Sequence, residues 1–271
     1  EAAPAKSYLN QEKILEVMLS SGTDAVHPGY GFLSENDDFA RLCEKNKINF
    51  IGPSADSMNL CGDKMRCKEA MLKAKVPTVP GSPDLVKDAD EAEKLANEIG
   101  YPVMLKSVYG GGGRGIRIVN TDQELRDAYE TVTAESMAAV GKSAIIVEKF
   151  LEKTRHIEYQ MCRDHHGNAV HLFERECSIQ RRNQKLIEQT PSPVVDKAKR
   201  EEIGELVVKA AEAVDYTNLG TAEFLRADNG EFYFIEINAR LQVEHPISEM
   251  VSGLDFVKLQ LDIANGEPLP F

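Results

Sequence analysis

The sequence contains no long uncharged apolar run, and its first residues do not have the form of a signal peptide. A transmembrane helix needs about 20 consecutive apolar residues, so the sequence predicts no membrane span. Basic residues are also scarce, because 32 Lys and Arg stand against 44 Asp and Glu, which gives a net charge of −12. This balance argues against nucleic acid as the main partner, since phosphate backbones are bound by clustered Lys and Arg.

The five cysteines include no C-x-x-C pair, and their number is odd. This pattern predicts reduced, mostly packed thiols rather than a disulfide framework or a zinc site. It favours a cytoplasmic protein, with the mitochondrial matrix as the other possible location. The 271 residues contain no internal repeat or low-complexity segment, and they suffice for one large unit or two to three subdomains.

Apolar periodicity and turn residues predict α/β alternation in the first part of the chain, which is typical of a parallel sheet. Thr121 and Glu124 are expected to form a capping box at the start of a long helix. The predicted helices are 10–20, 38–45, 64–75, 88–99, 121–140, 196–214 and 255–264. The predicted strands are 23–27, 49–53, 101–108, 116–119, 144–150, 156–163 and 169–178, followed by a hairpin from 221 onward.

The most informative stretch begins as the apolar segment 232–235 and then alternates apolar with polar side chains. A strand directs every second side chain to one face, so the pattern predicts a single polar surface. Carboxylates, amides and a guanidinium on one face indicate a site for a hard cation together with an anion, rather than an ordinary solvated face. The polar positions are Glu236, Asn238, Arg240, Gln242 and Glu244.

The preceding segment, 221–226, leads into Asn229 and Gly230, and Asn-Gly is a strong signal for a hairpin with a two-residue turn. In such a hairpin the numbers of paired residues sum to 459, which places Glu223 directly opposite Glu236. Like charges in that position destabilise a ladder, so the pair needs a compensating cation. Magnesium, which bridges carboxylates and nucleotide phosphates, is the natural candidate. A bulge would alter this register.

Glycines Gly110 to Gly113 and Gly115 lie between two predicted strands and satisfy the G-x-G-x-x-G spacing. A Rossmann site requires a helix after the glycines, and a Walker loop requires Gly-Lys-Ser or Gly-Lys-Thr, and neither is present. A glycine hairpin between strands is instead typical of a loop that closes over phosphates with its backbone N–H groups. Lys106, just before the loop, would place a positive charge on the same phosphates.

Together these features resemble the ATP-grasp fold, and further motifs resemble its biotin carboxylase branch. The resemblance covers essentially the whole chain in the family's order. The motifs are HPGYGFLSEN at 27–36, FIGP at 50–53, GDK at 62–64, EKFL at 148–151, RHIE at 155–158, ERECSIQRRNQK at 174–185 and RLQVEHP at 240–246.

The resemblance implies a mixed α/β and α+β architecture: a partial parallel α/β N-terminal subdomain, then an ATP-grasp module with antiparallel sheets. The expected division is 1–76 for the first part and 77–271 for the nucleotide-binding domain, with a hinged lid at about 101–150. The chain begins with Glu1 and enters the alternation partway, so we expect it to be the middle of the family's chain, with a truncated C-terminal subdomain.

By resemblance, residues of this chain take roles in binding and chemistry. Nucleotide phosphates would be held by Lys64, Lys106 and the loop of Gly110, Gly111, Gly112, Gly113 and Gly115. Adenine and ribose would be contacted by Glu148, Lys149, Leu151, His156 and Gln180. Magnesium or manganese would be bound by Glu223, Glu236 and Asn238, and bicarbonate would be surrounded by Lys185, Arg240, Gln242, the Val243 backbone and Glu244.

The implied activity is ATP-dependent carboxylation of biotin by bicarbonate through carboxyphosphate. Glu244 would act as the base for bicarbonate, Lys185 would lie beside it, and Arg240 would stabilise the biotin enolate. The implied partners are a biotin carboxyl carrier protein or domain, a carboxyltransferase subunit of an acyl-CoA or pyruvate carboxylase, and a second copy in a homodimer.

Two other functions remain open from the sequence. One is another ATP-grasp ligase, such as half of a carbamoyl-phosphate synthetase, which also phosphorylates bicarbonate but uses ammonia. The other is a nucleotide-binding fragment without turnover, because the family's biotin pocket also uses segments beyond both ends of this chain. On that basis we expect the isolated chain to show little biotin-dependent ATP cleavage.

Overall fold

The structure is a computed structural model that describes residues 3–108, 115–142, 144–182 and 184–271. The described helices are α1 Gln11–Ser21, α2 Asp37–Lys45, α3 Ala55–Gly62, α4 Lys64–Lys73, α5 Ala89–Ile99, α6 Asp122–Val140, α7 Lys197–Ala213, α8 His245–Ser252 and α9 Phe256–Ala264. The described strands are β1 Ala25–Val26, β2 Asn49–Phe50, β3 Val103–Ser107, β4 Ile116–Val119, β5 Ile145–Lys149, β6 Arg155–Arg163, β7 Ala169–Arg181, β8 Gln184–Gln189, β9 Asn218–Arg226 and β10 Phe232–Asn238.

The strands form three sheets, and their pairing confirms the mixed architecture predicted from the sequence. Strands β1 and β2 are parallel and lie among the N-terminal helices. The other two sheets are antiparallel, with strand orders β4-β3-β5 and β10-β9-β6-β7-β8. A parallel α/β region is thus followed by antiparallel sheets, as in the expected nucleotide-binding module.

Several predicted helices begin one residue late because their first predicted residue is the N-cap. Asp88, Thr121 and Asp196 each accept a backbone N–H from the first turn through a side-chain oxygen. The expected capping box is only half formed. Thr121 Oγ1 accepts from the Glu124 N–H at 3.3 Å, but the Glu124 carboxylate accepts from the Asn120 N–H at 2.8 Å rather than from that of Thr121.

Besides a 3-10 helix at Pro4–Lys6, three elements have no counterpart in the sequence-based prediction: α3, β8 and α8. Helix α3 is capped by Ser54 and buries Met58 and Cys61. It is short and ends in Gly62, so its apolar pattern is a weak sequence signal for a helix. Strand β8 is an edge strand with mostly exposed or half-buried side chains, so it lacks a clear apolar alternation. Helix α8 begins at His245 with Pro246 in its first turn, where the missing N–H costs no hydrogen bond.

The core consists of three clusters of buried apolar side chains. The largest joins α2, α3, α4 and α7 to one face of the five-stranded sheet. A second lies between the three-stranded sheet and helices α5 and α6, and a third packs α9 against β6, β7 and β9. Among the described residues, no helix is both long enough and apolar enough to cross a membrane.

Candidate functional site

A cleft of about 280 Å³ lies where the two antiparallel sheets and helix α4 meet. Strands β3 and β5 form one wall of the cleft. Their side chains alternate in direction, so Val103, Leu105 and Val147 face the core and the residues between them face the cleft. The lining is mainly apolar but contains six charged residues. Its members include Val79, Met104, Ile146, Leu225, Phe234 and Ile235, with Lys64, Lys68, Lys106 and Glu236 among the charged ones.

Glu148 is the most enclosed charge in this cleft. Lys106 Nζ donates to one of its carboxylate oxygens at 2.6 Å, and Lys68 Nζ donates to the other at 3.0 Å. Burial opposes the charged carboxylate, but the two ammonium groups outweigh it and hold the pKa of Glu148 below its usual range. The Glu148 side chain is therefore an ion-pair centre in the wall of this cleft.

The segment that follows Glu148 lines the mouth of the cleft. Lys149 directs its ammonium group away, to the carbonyl oxygens of Gly100 at 2.8 Å and Tyr101 at 3.0 Å. Leu151 lies on the wall of the cleft. Lys149 thus ties the start of the three-stranded sheet to this segment, and Leu151 offers an apolar surface.

Glu223 and Glu236 are paired across β9 and β10, as the sequence predicted, but the path to that register differs. The hairpin loop has three residues, Asp228 to Gly230, because the Ala227 N–H bonds the Glu231 carbonyl at 2.8 Å. Residue numbers near the turn consequently sum to 458. A bulge at Ile235 then shifts the register by one and restores the pairing of Glu223 with Glu236. The predicted two-residue turn was wrong, but the one-residue shift at the bulge offsets the resulting error in register.

The polar alternation after Glu236 does not stay on one strand. Strand β10 ends at Asn238, and Arg240, Gln242 and Glu244 lie in the loop that leads to α8. Their side chains still converge, because the loop folds back toward Glu223 and its neighbours. The prediction of a continuous strand face was wrong, while the convergence of the groups was right.

Lys185 is the centre of this cluster. Its ammonium group donates to Glu158, to Glu223 Oε1 at 2.9 Å and to Glu244 Oε1 at 2.8 Å. Burial disfavours the charge, but Glu158 and Glu223 outweigh it and raise the pKa of Lys185 well above its usual range. Glu244 keeps a lowered pKa, because its contact with Lys185 overcomes the effect of its own burial. The cluster therefore holds an ionised lysine against an ionised candidate base.

Gln242 and Arg240 complete the candidate anion site. Gln242 Oε1 accepts from Arg175 at 2.7 Å and its amide nitrogen donates to Glu223 Oε1 at 3.2 Å, which fixes the amide orientation. Arg240 Nε donates to Glu35 Oε2 at 2.8 Å and Nη2 donates to Asn238 Oδ1 at 3.1 Å. Val243 follows Gln242 and precedes Glu244 in the sequence, and its side chain is exposed.

His156 connects the cleft to the carboxylate cluster. Its Nδ1 lies 3.0 Å from Gln180 Nε2, and its Nε2 lies 2.8 Å from Glu223 Oε2 without the alignment of a hydrogen bond. Burial lowers the pKa of His156, but Glu223 outweighs that effect and the net direction is upward. The structure thus brings His156 and Gln180 together next to one carboxylate of the candidate metal pair.

Arg175 is the main residue that the sequence analysis did not assign. It is fully buried and donates to Glu158 Oε1 at 2.5 Å, as well as to Gln242. Three further hydrogen bonds reach Gln160, Thr221 and Ser248. The sequence did contain a signal for this role: Arg175 lies within a predicted strand, between two glutamates. An arginine that is buried at such a position is tolerated only when its charge is paired.

The candidate metal residues fit a divalent cation. Glu223 has four polar neighbours, and its pKa is far below the usual range because His156 and Lys185 overcome its burial. Within the described part of the chain, no side chain donates a hydrogen bond to Glu236, and burial together with the charge of Glu223 raises its pKa. A carboxylate without a cationic contact, opposite a second carboxylate and near the amide of Asn238, matches the oxygen ligands that magnesium prefers.

Four glycines of the predicted phosphate loop, Gly110 to Gly113, lie outside the described residues, as does Asn183. Gly115 is described and has a φ of 71°, a left-handed conformation that glycine adopts without strain. Its carbonyl accepts from the Ser107 N–H at 2.9 Å, which closes the ladder between β3 and β4 at the base of the loop.

Two family models match this chain. Residues 63–271 match the ATP-binding domain of the carbamoyl-phosphate synthase L chain, and residues 1–58 match the N-terminal domain of biotin carboxylase. Similar curated proteins include the 2-oxoglutarate carboxylase small subunit of Hydrogenobacter thermophilus, 52% identical over 99% of this chain and 57% of the relative. The biotin carboxylase of Nostoc sp. is 51% identical over 99% of this chain and 60% of the relative.

Solved structures agree with these similarities. The biotin carboxylase domain dimer of the Hydrogenobacter thermophilus enzyme, solved with MgADP, ADP and bicarbonate, matches with a TM-score of 0.91 at 51% identity. It is covered over 60% of its length and this chain over 100%. The Campylobacter jejuni biotin carboxylase–β-γ-ATP complex matches with a TM-score of 0.92 at 47% identity, over 100% of this chain and 61% of that one.

The chain spans 57% and 60% of the two curated relatives described above. The cleft between its sheets, its paired carboxylates and the lysine between three glutamates lie in a fold shared with the similar solved structures. The chain belongs to the family defined by the ATP-binding domain of the carbamoyl-phosphate synthase L chain and, within it, to the biotin carboxylases.

Proposed function

We propose that this chain carries the ATP-dependent carboxylation of biotin, with bicarbonate as the carbon source. The observation that supports it best is the position of Lys185, whose ammonium group contacts Glu158, Glu223 and Glu244 at once. Around it lie acidic oxygens suited to a cation and basic groups suited to a small anion. That combination serves a reaction in which bicarbonate attacks a metal-bound nucleotide phosphate.

The nucleotide would occupy the cleft between the two sheets. Its adenine would lie against the apolar wall near Leu151 and the backbone of Glu148 and Lys149, with the ribose toward His156 and Gln180. Lys64 and Lys106 would meet the phosphates, with the loop of Gly110 to Gly115 above them. The mainly apolar lining with a few convergent charges supports this placement, because such pockets bury a ligand's flat surfaces and orient its polar ones.

Magnesium would be held by Glu223, Glu236 and Asn238. When bound, it neutralises charge on the phosphate oxygens and so favours attack by an anionic nucleophile. The contribution of this chain is the arrangement of the oxygens: Asn238 donates to Glu223 at 2.8 Å and is itself fixed by Arg240. Manganese has the same preference for oxygen ligands and is the alternative ion.

The chemistry would proceed in two steps. A bicarbonate oxygen attacks the γ-phosphorus of ATP while the bond to the bridging oxygen breaks, and Glu244 accepts the bicarbonate proton, so that carboxyphosphate and ADP form. Carboxyphosphate then releases carbon dioxide and phosphate beside biotin. The released phosphate accepts the proton of the ureido nitrogen, which gives the enolate, and the nitrogen attacks the carbon dioxide. Arg240 would stabilise the resulting enolate charge on biotin, since its guanidinium is held in place by Glu35 and Asn238.

The expected partners follow from this reaction. Biotin would arrive on a carrier protein or domain, and a carboxyltransferase would use the carboxylated product, as in an acyl-CoA or pyruvate carboxylase. The similar proteins include one subunit of the pyruvate carboxylase of Methanothermobacter thermautotrophicus. One similar structure is a biotin carboxylase domain dimer, which supports a homodimer here.

We further propose that the protein is located in the cytoplasm. We also propose the division at residue 76 between the N-terminal part and the nucleotide-binding part.

Substrate requirements test the proposal. MgADP binding is measured first by calorimetry, and ADP release from MgATP is then measured with bicarbonate in the presence of free biotin or of ammonia. The isolated chain is expected to bind the nucleotide and to show little biotin-dependent ADP release. A longer protein that adds the flanking segments of the relatives is expected to release ADP with bicarbonate and to be stimulated by biotin but not by ammonia. Stimulation of the longer protein by ammonia alone would assign it to the carbamoyl-phosphate type, and nucleotide binding without any ADP release by either length would show a nucleotide-binding protein without turnover.

A further inference from the structure

Lys68 is a second lysine on the cleft side of helix α4, one turn after Lys64. Its ammonium group lies 3.0 Å from Glu148 Oε1, while Lys106 lies 2.6 Å from Glu148 Oε2. One carboxylate therefore neutralises two lysines, one on each oxygen. The side chains of Lys68 and Glu148 are 17% and 13% exposed, so this is a partly desolvated triad rather than a surface pair.

Glu148 cannot follow Lys106 if that lysine turns toward a ligand. The chain at Gly81 passes directly behind it, and a Cβ at Gly81 would lie 2.8 Å from the Glu148 Cγ and 2.7 Å from the Val147 carbonyl oxygen. Gly81 and Glu148 form an isolated antiparallel bridge, which fixes the backbone on that side. The carboxylate is thus held at the cleft wall, facing the space where phosphates would enter.

An arriving polyphosphate creates an electrostatic conflict at this wall. Lys106 would leave Glu148 to meet the phosphates, and a carboxylate without a cation would then face a highly charged anion in a partly desolvated cleft. A buried charge that loses its partner is costly, and like charges at short range repel. Lys68 removes this conflict because it contacts the other oxygen of Glu148.

We propose that Lys68 is a positioning residue of the nucleotide site, which neutralises Glu148 and so frees Lys106 for the phosphates. This inference rests on the nucleotide site proposed above. It assigns Lys68 no direct contact with the nucleotide, and it makes the charge on Glu148 the reason that Lys68 is needed. The expected effect therefore depends on the phosphates and on the Glu148 charge together.

Calorimetric titration with ADP and with adenosine tests this. Lys68→Met is expected to weaken ADP binding about tenfold, the size typical of one charge-assisted contact, and adenosine binding less than about twofold. Lys68→Arg keeps the charge and is expected to keep the affinity. Lys73→Met is the matched control, since it removes a lysine from the same helix where it forms an exposed pair with Glu69.

The double variant Lys68→Met/Glu148→Gln separates positioning from direct contact. If Lys68 acts by neutralising Glu148, removing the Glu148 charge restores ADP affinity to that of the single variant Glu148→Gln. Unchanged ADP affinity in Lys68→Met overturns the inference. A loss that Glu148→Gln does not restore also overturns it, because Lys68 would then contact the phosphates itself. Absence of ADP binding by the unmodified chain, by contrast, contradicts the proposed function itself.

Discussion

Glu223 and Glu236 lie opposite each other across the β9–β10 ladder, yet among the described residues only Glu223 contacts cationic groups. His156 and Lys185 lower the pKa of Glu223, whereas burial and the neighbouring charge raise the pKa of Glu236. The pair is therefore asymmetric, with one compensated and one uncompensated carboxylate. A cation between them would compensate the charge of both carboxylates, which is why we propose that magnesium binds to this pair.

The first prediction concerns this pair. Glu236→Gln is expected to stabilise the chain in the absence of magnesium at neutral pH, because it removes a buried charge that its neighbour repels. The same variant is expected to weaken the magnesium dependence of nucleotide binding by at least about tenfold, since a divalent ion loses a charged ligand. Thermal unfolding without metal and MgADP titration over a range of magnesium concentrations measure the two effects.

The control for this prediction is Glu231→Gln, which removes an exposed carboxylate from the same hairpin. Glu223→Gln should weaken magnesium dependence as Glu236→Gln does, but without the gain in stability, because Lys185 and His156 would lose their partner. Equal effects of all three substitutions would contradict the assignment of the metal to the pair.

The hairpin shows how far the sequence alone could lead. The Asn229–Gly230 signal correctly indicated a hairpin, but its predicted register near the turn was one residue off, and Glu223 lies opposite Glu236 only because a bulge offsets the longer loop. The loop length and the bulge at Ile235 were not predictable. They compensate each other, and both depend on local backbone geometry that has no distinct residue pattern here.

The carboxylate cluster could be predicted only through family resemblance. Lys185 meets Glu158, Glu223 and Glu244 across 27 to 59 positions of sequence, and no short-range spacing announces such contacts. The same holds for Arg175, whose five polar partners lie on several elements. Helix starts, in contrast, were predicted to within one residue at Asp88, Thr121 and Asp196, because an N-cap is a local interaction.

The second prediction concerns the glycine loop. Glycine-rich hairpins that cover phosphates are expected to become ordered when the nucleotide binds, so amide hydrogen exchange across residues 108–115 should slow when ADP is added. Peptide-level exchange followed by mass spectrometry measures this, with helix α7 as an internal reference remote from the cleft lining. Unchanged exchange in the loop under saturating ADP would show that the loop does not cover the phosphates.

The third prediction concerns the candidate base. Glu244→Gln keeps an oxygen that can accept from Lys185 but removes the proton acceptor. In a longer protein that adds the flanking segments of the relatives, ADP release should fall at least about 100-fold, the usual contribution of a general base, while ADP affinity stays within about twofold. Steady-state kinetics and calorimetry provide the two measurements. A large loss of ADP affinity with unchanged turnover would instead assign Glu244 to nucleotide binding.

The fourth prediction concerns Arg175, which holds Glu158 and Gln242 from within the core. Arg175→Met leaves the fully buried Glu158 with one cationic partner fewer, so the free energy of unfolding should fall by about 3–5 kcal/mol. Arg41→Met breaks an exposed arginine–carboxylate pair with Asp56 and should lower the free energy of unfolding much less, because solvent screens that pair. Urea denaturation compares the two variants, and similar losses would show that the buried network adds no stability beyond that of a surface pair.

The last prediction follows from Asp164, which lies buried in the turn between β6 and β7. Its carboxylate accepts hydrogen bonds from the amide side chain of Asn168 and from the backbone N–H groups of His166, Asn168 and Leu269. Burial opposes the charge of Asp164, but these hydrogen bonds outweigh burial and lower its pKa to about 2.

In the unfolded chain an aspartate has a pKa of about 3.9. Because the folded pKa is the lower one, the stabilisation is fully present above about pH 4 and is lost as the pH falls toward 2. Asp164→Asn lacks this proton linkage. The difference in unfolding free energy between the unmodified chain and this variant should therefore be largest near neutral pH and shrink between pH 4 and 2, as measured by urea denaturation at a series of pH values. A difference that stays constant over that window would show that the four hydrogen bonds do not depend on the charge of Asp164.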